Sequence, residues 1–105
     1  MPDSFRVIIS PRALSDIEGI YRYIANDSPR NARAILRRLM SAIDSLELFP
    51  YRNEVYQGRR PISETVRRMP VNPFILYYRV NDEQGVVDVI TIRHGKRLQP
   101  RRFGR

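Results

Sequence analysis

The residues best equipped for chemistry lie together, in Arg93-His94-Gly95-Lys96-Arg97. His94 is the only histidine, and its side chain ordinarily titrates close to neutrality, so it could move a proton or carry a switchable charge. The guanidinium groups of Arg93 and Arg97 and the ammonium of Lys96 could hold an anion beside it. A catalytic histidine needs a carboxylate to orient it, and the nearest before it in sequence is Asp88, six residues back. Without such a partner, a structural or exposed strand-end histidine is the plainer reading, and the basic residues around it are either an anion-binding surface or a solvated strand terminus. A second basic group comprises Arg67, Arg68 and Arg79. Successive strand residues point to opposite faces, so Arg67 and Arg68 cannot serve one site. Arg79, between Tyr78 and Val80, can anchor a partner or pair with a carboxylate of the fold.

These residues are positioned by a β-hairpin. Phe74 to Val80 and Val86 to Ile92 are runs of aromatic and branched aliphatic residues, the types that suit a pleated surface. The connector Asn81-Asp82-Glu83-Gln84-Gly85 ends in glycine, which tolerates the positive φ of a hairpin loop. Upstream, Glu64 to Val71 reads as a further strand. Pro70 and Pro73 flank Asn72 and place this strand at an edge or bulge, because proline cannot donate to a ladder.

The first half of the chain is helical after one short strand. Phe5, Val7 and Ile9 alternate on one face of that strand. Ser10-Pro11 and Ser28-Pro29 are two helix starts: the serine hydroxyl caps free amides, and proline at the first position has no amide to leave unsatisfied. Leu14, Ile17, Tyr21 and Ile24, with Ile20 beside them, form the apolar stripe of the first helix, which ends near Ala25-Asn26. Ala32, Ile35, Leu36, Leu39, Ile43 and Leu46 form that of the second, which the sequence carries from Pro29 to Leu48 before Pro50 stops it. The Asn26-Asp27 link makes the two an antiparallel hairpin whose stripes need a sheet to cover them. The expected fold is α+β, in the order β-α-α-β-β-β. It is a single domain over residues 1–105, with a helical hairpin on a small, largely antiparallel sheet and a basic tail from about residue 98. Tyr51 to Arg60 reads as a polar loop.

Composition narrows the partners. The formal net charge is +8, and all but one of the 19 basic residues are arginine. Arginine's planar fork suits phosphates and carboxylates, which indicates nucleic acid or an acidic protein segment; arginine-rich codon usage is the alternative. With no cysteine, disulfides, Cys-ligated zinc and thiol catalysis are excluded. No metal-ligand spacing, phosphate loop or nucleophile triad occurs, and no metal or cofactor is expected. The apolar run near the N-terminus is too short for a membrane span, so a cytoplasmic protein is expected.

The segments VIISPRALSDIEGIYRYI, SPRNA, LELFP and RRMPVNPFILYYRV...VVDVITIRHGKR, in this order, resemble the ParE branch of the RelE/ParE toxin superfamily over about residues 7–97. The resemblance implies a toxin of a type II toxin–antitoxin (plasmid stabilisation) module, neutralised by a small cognate antitoxin through its acidic C-terminal segment. ParE-like members are associated with inhibition of DNA gyrase by binding. RelE-like members are ribosome-dependent mRNA endonucleases. Cleavage through the 2′-hydroxyl needs a group to take its proton, cations to hold the charge on phosphorus and an acid for the leaving oxygen. For this they use arginines and a tyrosine, and some relatives a Glu, Arg and His set. The place of one RelE arginine falls here on Ile75, which can donate nothing, and no tyrosine follows Tyr78. The resemblance therefore favours a gyrase-binding toxin without catalytic residues. Arg93, His94, Lys96, Arg97, Arg101, Arg102 and Phe103 are then candidates for target binding, and Arg30, Arg33, Arg37 and Arg79 for the antitoxin. The nuclease alternative would use Arg68, Arg79, His94 and Arg97 around one cleft. A member retained only to bind its antitoxin is a third reading.

Overall fold

Both Ser-Pro pairs act as helix starts. In the computed structural model, which describes residues 4–56 and 65–95, Ser10 Oγ accepts from the Ala13 amide at 3.0 Å and Ser28 Oγ from the Asn31 amide at 3.2 Å. The elements are β1 (Arg6–Ile9), α1 (Pro11–Ala25), α2 (Pro29–Ser45), β2 (Arg67–Val71), β3 (Phe74–Asn81) and β4 (Val86–His94). This is the expected α+β order. The second helix is shorter than its apolar pattern: it ends at Ser45 with Leu46 as its cap. The amides of Leu46, Glu47 and Leu48 reach back only three residues, to Ile43, Asp44 and Ser45, so the last turn tightens out of α-geometry.

The sheet order is β1-β4-β3-β2. β2 pairs antiparallel with β3, and β3 with β4, while β1 joins β4 in parallel, with Val7 opposite Val87 and Ile9 opposite Val89. The long connection that a parallel pairing requires is supplied by the helical hairpin together with β2 and β3. Pro70 lies in β2, an edge strand. The β2 strand begins at Arg67, later than the sequence pattern indicates. Tyr51 to Tyr56 is more than a loop, because Val55 bridges to Arg67 and the Tyr56 amide donates to Val66 O at 2.7 Å. At the β3–β4 connector Gly85 has φ 67°, and Asn81 Oδ1 accepts from the Gln84 amide at 3.0 Å.

Both helices cover the same sheet face. Ala13 and Ile17 of α1 and Leu39 and Ile43 of α2 pack with Leu46, Met69, Phe74, Leu76, Tyr78, Val87, Val89 and Ile92. On α1 the buried stripe is Ala13, Ile17, Ile20 and Ile24, and Leu14, which spacing assigns to it, is 49% exposed. Both Ala13 and Leu14 fit the helical period. The small Ala13, with no exposed surface, lets α1 lie close to the sheet and turns Leu14 outward. A smaller cluster of Val66, Ile75 and Tyr77, with Tyr56 and Ile90 against it, lies apart from this core.

Candidate partner-binding groove at the sheet end

A β-bulge explains how α1 is held. Tyr77 pairs with Thr91 but Tyr78 with Val89, so Ile90 is the extra residue of β4. A bulge breaks the ladder locally, and side chains of the α1 region satisfy backbone groups around it. Ser10 Oγ donates to Ile90 O at 2.9 Å, and Asp16 Oδ2 accepts from the Ile92 amide at 3.0 Å and from Thr91 Oγ1 at 2.5 Å. Thr91 is 2% exposed, so this carboxylate provides for a buried hydroxyl that would otherwise lack an acceptor.

Beyond this attachment α1 and the strand ends diverge, leaving a groove of about 570 Å³. Its walls are Ile20, Tyr23 and Ile24 from α1, Ile35 from α2, and Phe74 and Ile92 from the sheet, bordered by Ser15, Asp16, Arg93 and His94. Tyr23 stands 76% exposed beside it. The His94 ring packs edge-on against Phe74, with centroids 5.4 Å apart. The groove's end is braced by the β2–β3 turn: Arg38 Nη2 donates to Asn72 O at 2.6 Å, and the Gly95 amide to Pro73 O at 2.7 Å. A Cβ on residue 95 would stand 3.1 Å from that same carbonyl oxygen, so glycine permits the close approach.

Asp16 is the only carboxylate among the groove's lining residues, and its Oδ2 is engaged by Thr91 and Ile92. Arg93 is paired with Ile75 and so shares the Ile75–Tyr77 face of the sheet, where its Nε is buried with no hydrogen-bond partner among the described residues. An unpaired buried donor costs about 1–3 kcal/mol, more when charged.

The other sequence-derived candidates are dispersed. Arg68 faces Glu54 at 3.8 Å, and Arg79 faces Asp88, its cross-strand neighbour, at 3.9 Å. Both pairs are partly exposed and of the kind worth about 0–1 kcal/mol. Asp88, so engaged, lies about 20 Å along β4 from His94 at the usual rise per residue. Arg79 is likewise about 17 Å along β3 from Phe74, the residue opposite His94. Arg68, Arg79 and His94 therefore do not surround one cleft. Arg97, Lys96, Arg101, Arg102 and Phe103 lie outside the described residues. On α2, Arg30, Arg33 and Arg37 are exposed, and at 3.6 residues per turn they point roughly 140–160° away from Ile35. A segment lying in the groove would not meet them.

Several tyrosines have structural roles. Tyr78 Oη donates to Pro50 O at 2.7 Å and accepts from Asn53 Nδ2 at 3.2 Å, and burial pushes its pKa up. Burial also raises the Tyr77 pKa, partly offset by the charges of Arg68 and Arg93. Arg67 lies over the Tyr51 ring, 5.2 Å from its centroid, and donates from Nη1 to Asn53 O at 2.8 Å.

Sequence reasoning passed over Asp16, Arg38 and the second role of Ser10. Asp16 left one signal: it is a carboxylate next to Ile17, on the side of α1 that carries Ala13 and Ile20. Arg38 left none that separates it from its neighbour Arg37.

A helical hairpin over one face of a four-stranded mixed sheet is consistent with the fold of RelE/ParE toxins. The chain superposes on a toxin structure of the chromosomal ParDE system from P. aeruginosa with a TM-score of 0.67 and 18% identity, over 89% of this chain and 98% of that one. It superposes on a structure of the archaeal RelE–RelB complex from Pyrococcus horikoshii OT3 with a TM-score of 0.62 and 18% identity, covering 89% and 97%. Toxin RelE2 of Caulobacter vibrioides is 36% identical over 93 residues, 89% of this chain and 98% of that protein. Residues 7–99 match the family model of the ParE toxin of the type II toxin–antitoxin system parDE, and the chain belongs to this family.

Proposed function

We infer that this protein is the toxin of a type II toxin–antitoxin module, that its groove receives a segment of the cognate antitoxin, and that its target is DNA gyrase, which it inhibits by binding. The antitoxin reading rests above all on the groove: apolar walls from both helices and the sheet stay open to solvent. Contiguous apolar surface of this kind marks interaction sites. An acidic partner suits a chain of net charge +8. Among the structural relatives, the P. horikoshii RelE is in complex with RelB.

The gyrase reading rests on family analogy, supported by the dispersion of Arg68, Arg79 and His94. Target binding would draw on Arg93 and His94 at the strand end and on the basic segment that follows. On this reading the protein works in the cytoplasm. The test is DNA supercoiling by purified gyrase with the protein titrated in, with and without antitoxin. Inhibition or trapped cleaved DNA, relieved by antitoxin, is the expected result. No effect at a large excess of folded protein removes gyrase as the target.

A second reading, ribosome-dependent mRNA cleavage, draws on the name of the C. vibrioides relative, RelE2, and on the nearness of Arg68 and Arg93 to the Tyr77 phenol. Cleavage of ribosome-bound mRNA in a gyrase-negative preparation would favour it.

A further inference from the structure

We propose that the outer edge of β1 receives an extended, acidic segment of the antitoxin, which adds a further strand to the four-stranded sheet. This rests on the antitoxin reading above and adds to it a second contact surface, outside the groove.

The hydrogen bonds of β1 divide its backbone into two sides. The amides of Arg6 and Ser10 donate to the Gly85 and Val89 carbonyls, at 2.8 and 3.1 Å, on the β4 side. Successive amides of a strand point to opposite sides, so those of Phe5, Val7 and Ile9 face away from β4. The Phe5 amide is met by Glu47 O at 2.8 Å, whereas no described group accepts from the amides of Val7 and Ile9. The other edge of the sheet is closed. There the outward Arg68 amide donates to Glu54 O at 3.0 Å, and outward Val66 O accepts from the Tyr56 amide at 2.7 Å. The next outward position is Pro70, which has no amide to offer. β1 has no such protection: it contains no proline, lysine or bulge, and Arg6 is its only charge. An open edge of this kind is a template for an incoming strand.

Charge and area select the occupant. Val7 and Ile9 pack against the core, while Arg6 is exposed and Ile8 is 40% exposed on the opposite face. A strand laid along this edge finds an apolar neighbour in Ile8 and a cation in Arg6, which suits a segment that carries a carboxylate near an apolar residue. A second copy of this chain would instead bring another charge of +8 against the first. The edge is also short, four residues and about 13 Å, and pairing it alone buries well under the roughly 1,200 Å² of a stable interface. An antitoxin held in the groove is already tethered, so its strand pairs at high local concentration and needs no independent affinity.

Hydrogen exchange of the wild-type toxin, alone and bound to its antitoxin, reads the pairing amide by amide. The Arg6 and Ile8 amides lie in the ladder with β4 and should be protected in both states. Those of Val7 and Ile9 should exchange freely in the toxin and slow by about tenfold or more in the complex. Two variants at one position supply the binding test. Val7→Ala trims the packing and keeps the amide, whereas Val7→Pro removes the amide without breaking a ladder bond to β4. With folding of both checked by thermal unfolding, Val7→Pro is expected to bind antitoxin about tenfold more weakly than Val7→Ala. Unchanged exchange at Val7 and Ile9 in a complex that forms overturns the inference and leaves the antitoxin reading standing. Protection of both amides in a toxin that sediments alone as a dimer overturns it in favour of a second copy. A wild-type toxin that binds no antitoxin overturns both readings.

Discussion

Asp16 and Thr91, separated by 75 positions, are joined by a hydrogen bond of 2.5 Å from the threonine hydroxyl to the carboxylate. The same oxygen accepts from the Ile92 amide, so one side chain fixes α1 to the strand at its bulge. It also places the wall of the groove, because Ile20, Tyr23 and Ile24 follow Asp16 on the same helix. Asp16→Ala should therefore destabilise the fold by about 1–3 kcal/mol, the cost of leaving a buried hydroxyl and amide without their acceptor. Asp16→Asn retains a neutral oxygen and should lose less. Urea unfolding of the three proteins checks the order.

Tyr78 closes the loop after α2 against the sheet through Pro50 and Asn53. Tyr78→Phe should cost about 0.5–1.5 kcal/mol at neutral pH, measured by chemical unfolding.

The same phenol gives a pH dependence. Burial raises the pKa of Tyr78 and of Tyr77 above the usual value of 10.0, so the folded state holds their protons more tightly than the unfolded state. Their contribution is complete below the unfolded pKa and is lost as pH rises from about 10 through the folded value, where the unfolded chain binds fewer protons. Unfolding midpoints should fall above pH 10, and less steeply in Tyr78→Phe.

Arg38 reaches from α2 to the Asn72 carbonyl in the β2–β3 turn. Because the contact is exposed, Arg38→Ala should cost no more than about 1 kcal/mol. The local effect should exceed the global one: faster hydrogen exchange is expected at the Gly95 amide, which bonds to Pro73 in the same turn. Site-resolved exchange decides it.

Tyr23 supplies exposed apolar surface at the groove and little to the core. Tyr23→Ala should change stability by less than about 0.5 kcal/mol yet weaken antitoxin binding about tenfold or more, as loss of an aromatic anchor does. Calorimetric titration and thermal unfolding of one preparation separate the two effects.

Local features of the chain account for the elements. Ser10-Pro11 and Ser28-Pro29 start helices because a hydroxyl and a missing amide answer the same end effect. Ala32 to Leu46 is a helical stripe by its spacing, and the run ending in Gly85 turns because only glycine takes that φ without strain. These are interactions within a few residues, and so is most of the signal that assigns the chain to its family. Tertiary structure decided what distance in sequence conceals. Only folding pairs β1 with β4 in parallel, turns Leu14 outward in favour of Ala13, and brings Asp16 to the bulge at Ile90. His94 and Arg93 are conspicuous in the sequence as a basic cluster. That His94 packs against Phe74 at a groove walled by α1 depends on α1 crossing the strand end, and spacing along the chain carries no record of that crossing.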